Sequence, residues 1–164
     1  MKLSDISNPR QVILVSSSAT MDIAGKNIEK KDIMAACWHS PLSFEPMMYG
    51  VSIEKTRYTL QLIRKSGIFI VNFMPSSQKD NILFCGTTVG EHIDKFEETG
   101  LTAVECEKVH GIRIDEALGW LECEVVDEID AGDHIFLIGK VMYHELKSHE
   151  KRLFQVNSDS FSEL

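Results

Sequence analysis

The 164 residues carry 17 basic against 25 acidic side chains, a formal net charge of −8, with 43% hydrophobic and 26% charged residues. A chain of that length and composition fits one globular domain, residues 1–164, able to bury roughly two-thirds of the surface it exposes when unfolded. The acidic balance excludes nucleic acid and anionic membrane as partners, since both bind through clustered Lys and Arg, and no apolar run near the start suits a secretory segment, so a cytoplasmic location is expected.

In chain order, Gln11 to Ser17 reads as a strand entered after Pro9, and Ser16 to Lys31 as a connection. Ile33 to Trp38 is a second strand. The segment from His39 to Pro46 holds two prolines, which forbid helix there and predict an ordered loop. Met47 to Ile53 follows as a strand, then a helix in which Tyr58, Leu60, Leu62 and Ile63 form the apolar face, with Thr56 as N-cap and Gly67 as the stop. Ile68 to Met74 is apolar on both faces and is expected to lie centrally in a sheet. Ser76 to Phe84 and His92 to Thr99 read as short helices separated by a Cys85-Gly86-Thr87-Thr88 turn. Leu101 to Val109, Ala117 to Asp130 and His134 to Leu146 then read as strands, the last two joined in a hairpin through Ala131-Gly132-Asp133. The tail from about residue 148 is either a flexible end or an element docked on a partner. Strands joined mostly by short links predict an antiparallel barrel with accessory helices.

Chemistry concentrates at a few places. Ser52, Lys55, Thr56, Arg57 and Thr59 surround a strand end that turns into a helix start, where unpaired N–H groups favour an anion such as phosphate; a capped surface helix is the plain alternative. Asn72 lies mid-strand in an apolar run, and a buried amide demands a partner, either a polar ligand or the loop backbone. Ala35 to Ser40 combines small residues, which admit a flat ring close to the backbone, with Trp38 and His39. The acidic residues from Glu122 to Asp133 occupy strand positions expected to face water. The six histidines lack metal-ligand spacing, and the four cysteines, Cys37, Cys85, Cys106 and Cys123, lack zinc or thioredoxin spacing and are expected as free thiols. No metal site and no catalytic side chain of its own is assigned, and no Rossmann or P-loop glycine pattern occurs.

The order of these pieces carries a resemblance. Ser40-Pro41-Leu42, Val51-Ser52-Ile53, Lys55 with Thr56 and Thr59, the run Leu62 to Asn72, Gly90 with Asp94-Lys95-Phe96, and Thr99-Gly100-Leu101 together resemble the flavin reductase-like, FMN-binding split-barrel family, with its flavoredoxin branch nearest. The resemblance spans about Pro9 to Tyr143. It implies a mainly β, antiparallel Greek-key split β-barrel and a homodimer with non-covalent FMN. Ala36, Cys37, Trp38, His39 and Ser40 would contact the isoalloxazine; Ser52, Lys55, Thr56 and Thr59 would hold phosphate and ribityl; Asn72 would bond ribityl or ring. Cys85, Gly86 and Thr87 would close the site, flanked by Lys95 and Phe96. Cys37-Trp38-His39 stands where such proteins commonly carry a Ser/Thr-rich stretch. The implied activity is oxidoreduction with NADH or NADPH, or a protein, as electron donor. The alternatives are a non-enzymatic electron carrier and, behind it, a pyridoxamine-phosphate-oxidase-like enzyme.

Overall fold

A computed structural model describes all residues 1–164. The fold is mainly β with accessory helices. Its main sheet is antiparallel and seven-stranded, in the order β3-β2-β6-β9-β10-β5-β4, formed by β2 (Ile13–Ile23), β3 (Lys26–Ala36), β4 (His39–Phe44), β5 (Met47–Glu54), β6 (Ile68–Phe73), β9 (Gly119–Ala131) and β10 (His134–Leu146). Sequence-distant neighbours, β6 against β9 and β5 against β10, give the crossing connections of a Greek key.

The two edges of this sheet are successive pieces of one chain path. β3 pairs only with β2 and β4 only with β5, and just two residues, Cys37 and Trp38, separate them. A single bent strand thus changes partner in mid-course, which curls the sheet and leaves a split along β3.

Three expectations need correction here. Ser16 to Lys31 is no connection but the body of a long β2–β3 hairpin, closed at Ala24-Gly25, where both residues have positive φ. His39 to Phe44 is a strand rather than a loop. Pro41 is tolerated because β4 lies at the edge, where a missing N–H breaks no ladder. Leu101 to Val109 narrows to β7 (Ala103–Glu105), paired with β8 (Ile112–Ile114).

The remaining elements follow the sequence closely. β6 sits between β2 and β9, and its alternate residues enter two cores: Phe69 and Val71 join the barrel interior with Ile13, Val51, Ile53 and Leu137, while Ile68 and Ile70 join Leu14, Ile33, Ile82 and Phe96 on the other face. After a one-turn α1 (Ser4–Ser7), α2 (Tyr58–Ser66) closes the barrel end with Leu60 and Ile63 and stops at Gly67 in the left-handed conformation. α3 (Lys79–Thr87) and α4 (Lys95–Thr99) cover the second core. Cys85, Gly86 and Thr87 therefore form the last turn of α3, not a free turn. The tail is ordered on its own chain: β11 (Leu153–Gln155) pairs with β1 (Arg10–Gln11) and with β12 (Phe161–Glu163).

Glu122 is the exception among the acidic residues of β9. It is fully buried and accepts the N–H of Glu107 and of Lys108 at 2.7 and 2.8 Å, because the excursion from residue 101 to 118 folds over that end of the strand. All four cysteines are free thiols. No helix is long and apolar enough to cross a membrane.

Candidate functional site

The split along β3 opens into two clefts that share Glu54 and Arg57. The first, about 280 Å³, is lined by Met34 to Trp38 on one side and by Ser52, Glu54, Arg57 and His134 on the other. The second, about 270 Å³, continues past Thr56, Tyr58 and Thr59 to Thr88, Gly90 and Lys95. Joined, they fall within the usual size range of small-molecule sites, roughly 300–1,000 Å³.

Backbone geometry prepares the first cleft for a flat polar edge. Ile23 and Lys26 close the β2–β3 hairpin, so hydrogen-bonded pairs fall on every second residue and reach Ile13–Ala36. Ala35, lying between such pairs, turns its N–H and C=O away from β2, on the side where β3 has no partner strand. Its methyl packs towards α3, where a Cβ on Gly86 would come within 3.2 Å of it. Trp38 stands at the mouth, 37% exposed, with its ring centroid 4.8 Å from that of His134.

The second cleft has the features of an anion cradle. No side chain caps α2, so the N–H groups of Tyr58 and Thr59 have no hydrogen-bond partner. Arg57 lies beside them, donating Nη1 to the carbonyl of Gly86 at 3.0 Å and meeting Glu54 at 3.5 Å. Thr56 is exposed there and is not the N-cap; Arg57 occupies that position. Arg57 is the residue that the resemblance leaves out. Its shared place in both clefts comes from the β5–α2 turn, which spacing alone does not orient.

The buried floor is ionic. Asp32 accepts from Thr59 Oγ1 at 2.6 Å and pairs with Lys95 Nζ at 3.2 Å, both charges almost wholly buried. Lys95 also donates to the carbonyls of Ile33 and Cys85. Gly90 passes so close to Asp32 that a Cβ would sit 1.9 Å from its carboxylate, which is why the loop carries glycine here.

The sequence-predicted residues divide accordingly. Ala36, Cys37, Trp38, Ser52, Thr56 and Thr59 line the clefts, and Lys95 forms floor rather than flank. Burial pushes the Cys37 thiol up to about 11, so it is a neutral lining group. His39 and Ser40 lie on the far side of Trp38, in a separate cleft. His39 Nε2 donates to the carbonyl of Gln11 at 2.8 Å, which leaves Nδ1 to accept from Tyr49 Oη at 2.7 Å. Six further residues line neither cleft. Lys55 turns outward onto Asp130 at 2.7 Å. Asn72 is fully buried: its amide nitrogen donates to Leu14 O and Ser16 Oγ, and its oxygen accepts Ile114 N–H at 2.8 Å, so the chain itself answers the amide. Phe96 is core, and Cys85, also core, reaches the site only through its carbonyl. Gly86 likewise contributes a carbonyl, to Arg57, while Thr87 Oγ1 donates back to Leu83 O at 3.0 Å.

The sequence profile of the flavin reductase-like domain matches residues 6–160, nearly the whole chain. The chain belongs to the flavin reductase-like domain family. An uncharacterized protein of Archaeoglobus fulgidus is 38% identical over 116 residues, which take in 71% of this chain and 66% of that protein. The chain thus spans just under two-thirds of that relative's length. Among solved structures, component B of nitrilotriacetate monooxygenase from Bacillus cereus superposes with a TM-score of 0.86 at 18% identity, covering 99% of this chain and 87% of the other. Flavoredoxin of Desulfovibrio vulgaris (Miyazaki F) gives 0.82 at 22%, covering 96% and 88%. At those identities the structures speak for the fold, and membership of the flavin reductase-like family supports a flavin-binding redox role.

Proposed function

We propose that the joined clefts hold FMN non-covalently and that the chain is an oxidoreductase passing electrons through it from NADH, NADPH or a protein donor. The observation that carries the reading is a pair of adjoining clefts that share Glu54 and Arg57, with an unpaired strand edge in the first and an uncapped helix start in the second. A flavin ring has a hydrogen-bonding edge for the first, and its phosphate suits the second. When bound, FMN would supply the hydride and single-electron chemistry. Ala35 and Ala36 would let the ring approach the backbone; the N–H groups of Tyr58 and Thr59, with Arg57, would hold the phosphate. Trp38 and His134 would limit access to the ring.

The test is anaerobic mixing of the FMN-loaded protein with NADH, NADPH or neither while the flavin absorbance is followed. Bleaching by either nucleotide supports a reductase. No bleaching by nucleotide, with ready reduction by dithionite or a reduced carrier protein, supports the second reading, a non-enzymatic electron carrier. That reading is favoured by the Trp38–His134 pair crowding the groove mouth.

We further propose that the chain works as a homodimer in the cytoplasm. Phe44, at the tip of the β4–β5 hairpin, is 95% exposed and stands beside an apolar recess of about 470 Å³ walled by Leu42, Met47, Tyr49, Phe73 and Val141. Knob and recess on one patch make it self-complementary, the requirement of a two-fold interface.

A further inference from the structure

On the far side of Trp38 lies a third cleft, about 400 Å³, lined by Leu3, Ser7, Arg10, His39, Phe136 and the outer face of Ser52. It shares Trp38 and Ser52 with the groove assigned to FMN, so the two are separated by little more than the indole. Its charge is unbalanced. Arg10 makes no ion pair with any carboxylate. Its buried Nε has no hydrogen-bond partner, and neither has the buried hydroxyl of Ser7 beside it. Of the seven buried, partnerless side-chain atoms in the protein, five belong to residues 7–11. Of these residues Ser7 and Arg10 line the cleft, and an arginine without a carboxylate partner at its wall is a charge that a bound anion would balance.

We propose that this cleft is a binding site for a small planar organic carboxylate, with Arg10 as its charge partner and Trp38 as its stacking surface. The guanidinium fork matches a carboxylate in two parallel hydrogen bonds. Trp38 and Phe136 give the ring an aromatic wall. A volume of about 400 Å³ lies at the small end of ligand sites, suited to a one- or two-ring acid rather than to a dinucleotide. The proposal deepens the flavin reading by placing a second substrate against the far face of Trp38, and it rests on that reading only for the neighbour, not for the binding itself.

The test uses the flavin-free full chain, with benzoate and its neutral isostere benzamide as probes and quenching of tryptophan fluorescence as readout. Benzoate is expected to bind at least tenfold more tightly than benzamide, the scale of a charge-assisted hydrogen bond. Arg10→Gln is expected to abolish that preference and Arg10→Lys to keep part of it, with near-ultraviolet circular dichroism of both unchanged. Equal affinities for the two probes in the wild type, or a preference that survives Arg10→Gln, would overturn the site. So would competition between benzoate and FMN, which would make the cleft part of the flavin groove, or a change of oligomeric state in Arg10→Gln with benzoate affinity intact, which would give Arg10 to a subunit contact. Benzoate selectivity in a protein that fails to bind FMN would uphold this site and remove the flavin reading, so the two fail separately.

Discussion

Arg57 and Lys55 are neighbours across one residue, both cationic, and the structure sends them to opposite sides. Arg57 lies at the junction of the two clefts, against Gly86 and Glu54, whereas Lys55 pairs outward with Asp130. Truncating Arg57 to Ala removes one donor to a backbone carbonyl and a partly exposed ion pair, a modest structural loss because such surface pairs contribute little. Towards a phosphate the loss is larger: a hydrogen bond to a charged group is worth about 1.5–3 kcal/mol, which converts to roughly a ten- to a hundredfold weaker affinity for FMN. Lys55→Ala should leave FMN affinity within about twofold, by the same reasoning from placement. The assay is quenching of flavin fluorescence on titration, with riboflavin run beside FMN. Riboflavin lacks the phosphate, so Arg57→Ala should hardly change its affinity. Weakening by Lys55→Ala with no effect of Arg57→Ala would refute the assignment of the anion cradle. Equal weakening of FMN and riboflavin by Arg57→Ala would show that the residue supports the groove rather than the phosphate.

Asn72→Ala should lower stability by about 1–3 kcal/mol, the cost of leaving the buried Ile114 N–H unanswered, and thermal unfolding should show a Tm lower by roughly 2–12 °C for a domain of this size. FMN affinity measured below that transition should be unchanged, since no cleft includes Asn72. Burial holds the His39 pKa below its ordinary 6.5, because charging the ring would cost desolvation. The unfolded chain therefore takes up a proton near pH 6.5 that the folded chain refuses, so this group's contribution is full above that pH and is lost as pH falls from there through the folded value. Denaturant titrations between pH 7.5 and 5.5 should show that decline, and His39→Gln should flatten it; an equal slope in the variant would contradict the assignment. Phe44→Ser should shift sedimentation from dimer towards monomer while the fold persists, and an unaltered dimer would place the interface elsewhere.

Much of the fold was legible because local pattern and long-range pairing agree. β6 is apolar at Ile68, Phe69, Ile70 and Val71, and only a strand buried on both faces can use all four. The β9–β10 hairpin announced itself through Gly132, whose φ of 73° the turn requires. The β2–β3 hairpin did not. Its distal half, Thr20 to Lys31, stands out in solvent with polar side chains on both faces, and its turn has Ala24 where Asn or Asp would have signalled the positive φ. β4 was hidden by Pro41 and by Pro46 just beyond it, and a proline speaks against a strand only where the strand is central. Glu122 was hidden by a covering loop that no strand periodicity records.

The candidate site was legible by segment and less so by side chain. Ala36 to Trp38, Ser52 and the start of α2 do converge, because the partner switch at Cys37-Trp38 brings the end of β3 against the end of β5. Which way each residue of the β5–α2 turn points depends on the β9–β10 hairpin beside it, whose Asp130 draws Lys55 outward. For Asn72 the sequence left a polar ligand or a loop backbone open, and the backbone of Ile114, 42 residues away, is its partner; Lys95, expected to flank the site, instead pairs with Asp32, 63 residues away.

Isothermal titration of the flavin-free protein with FMN decides whether the split along β3 is an FMN site. One FMN is expected to bind per chain at micromolar affinity or tighter, to be released intact on denaturation and to bind more tightly than riboflavin. A protein that takes up no FMN at micromolar concentration, or that binds riboflavin and FMN alike, would contradict it.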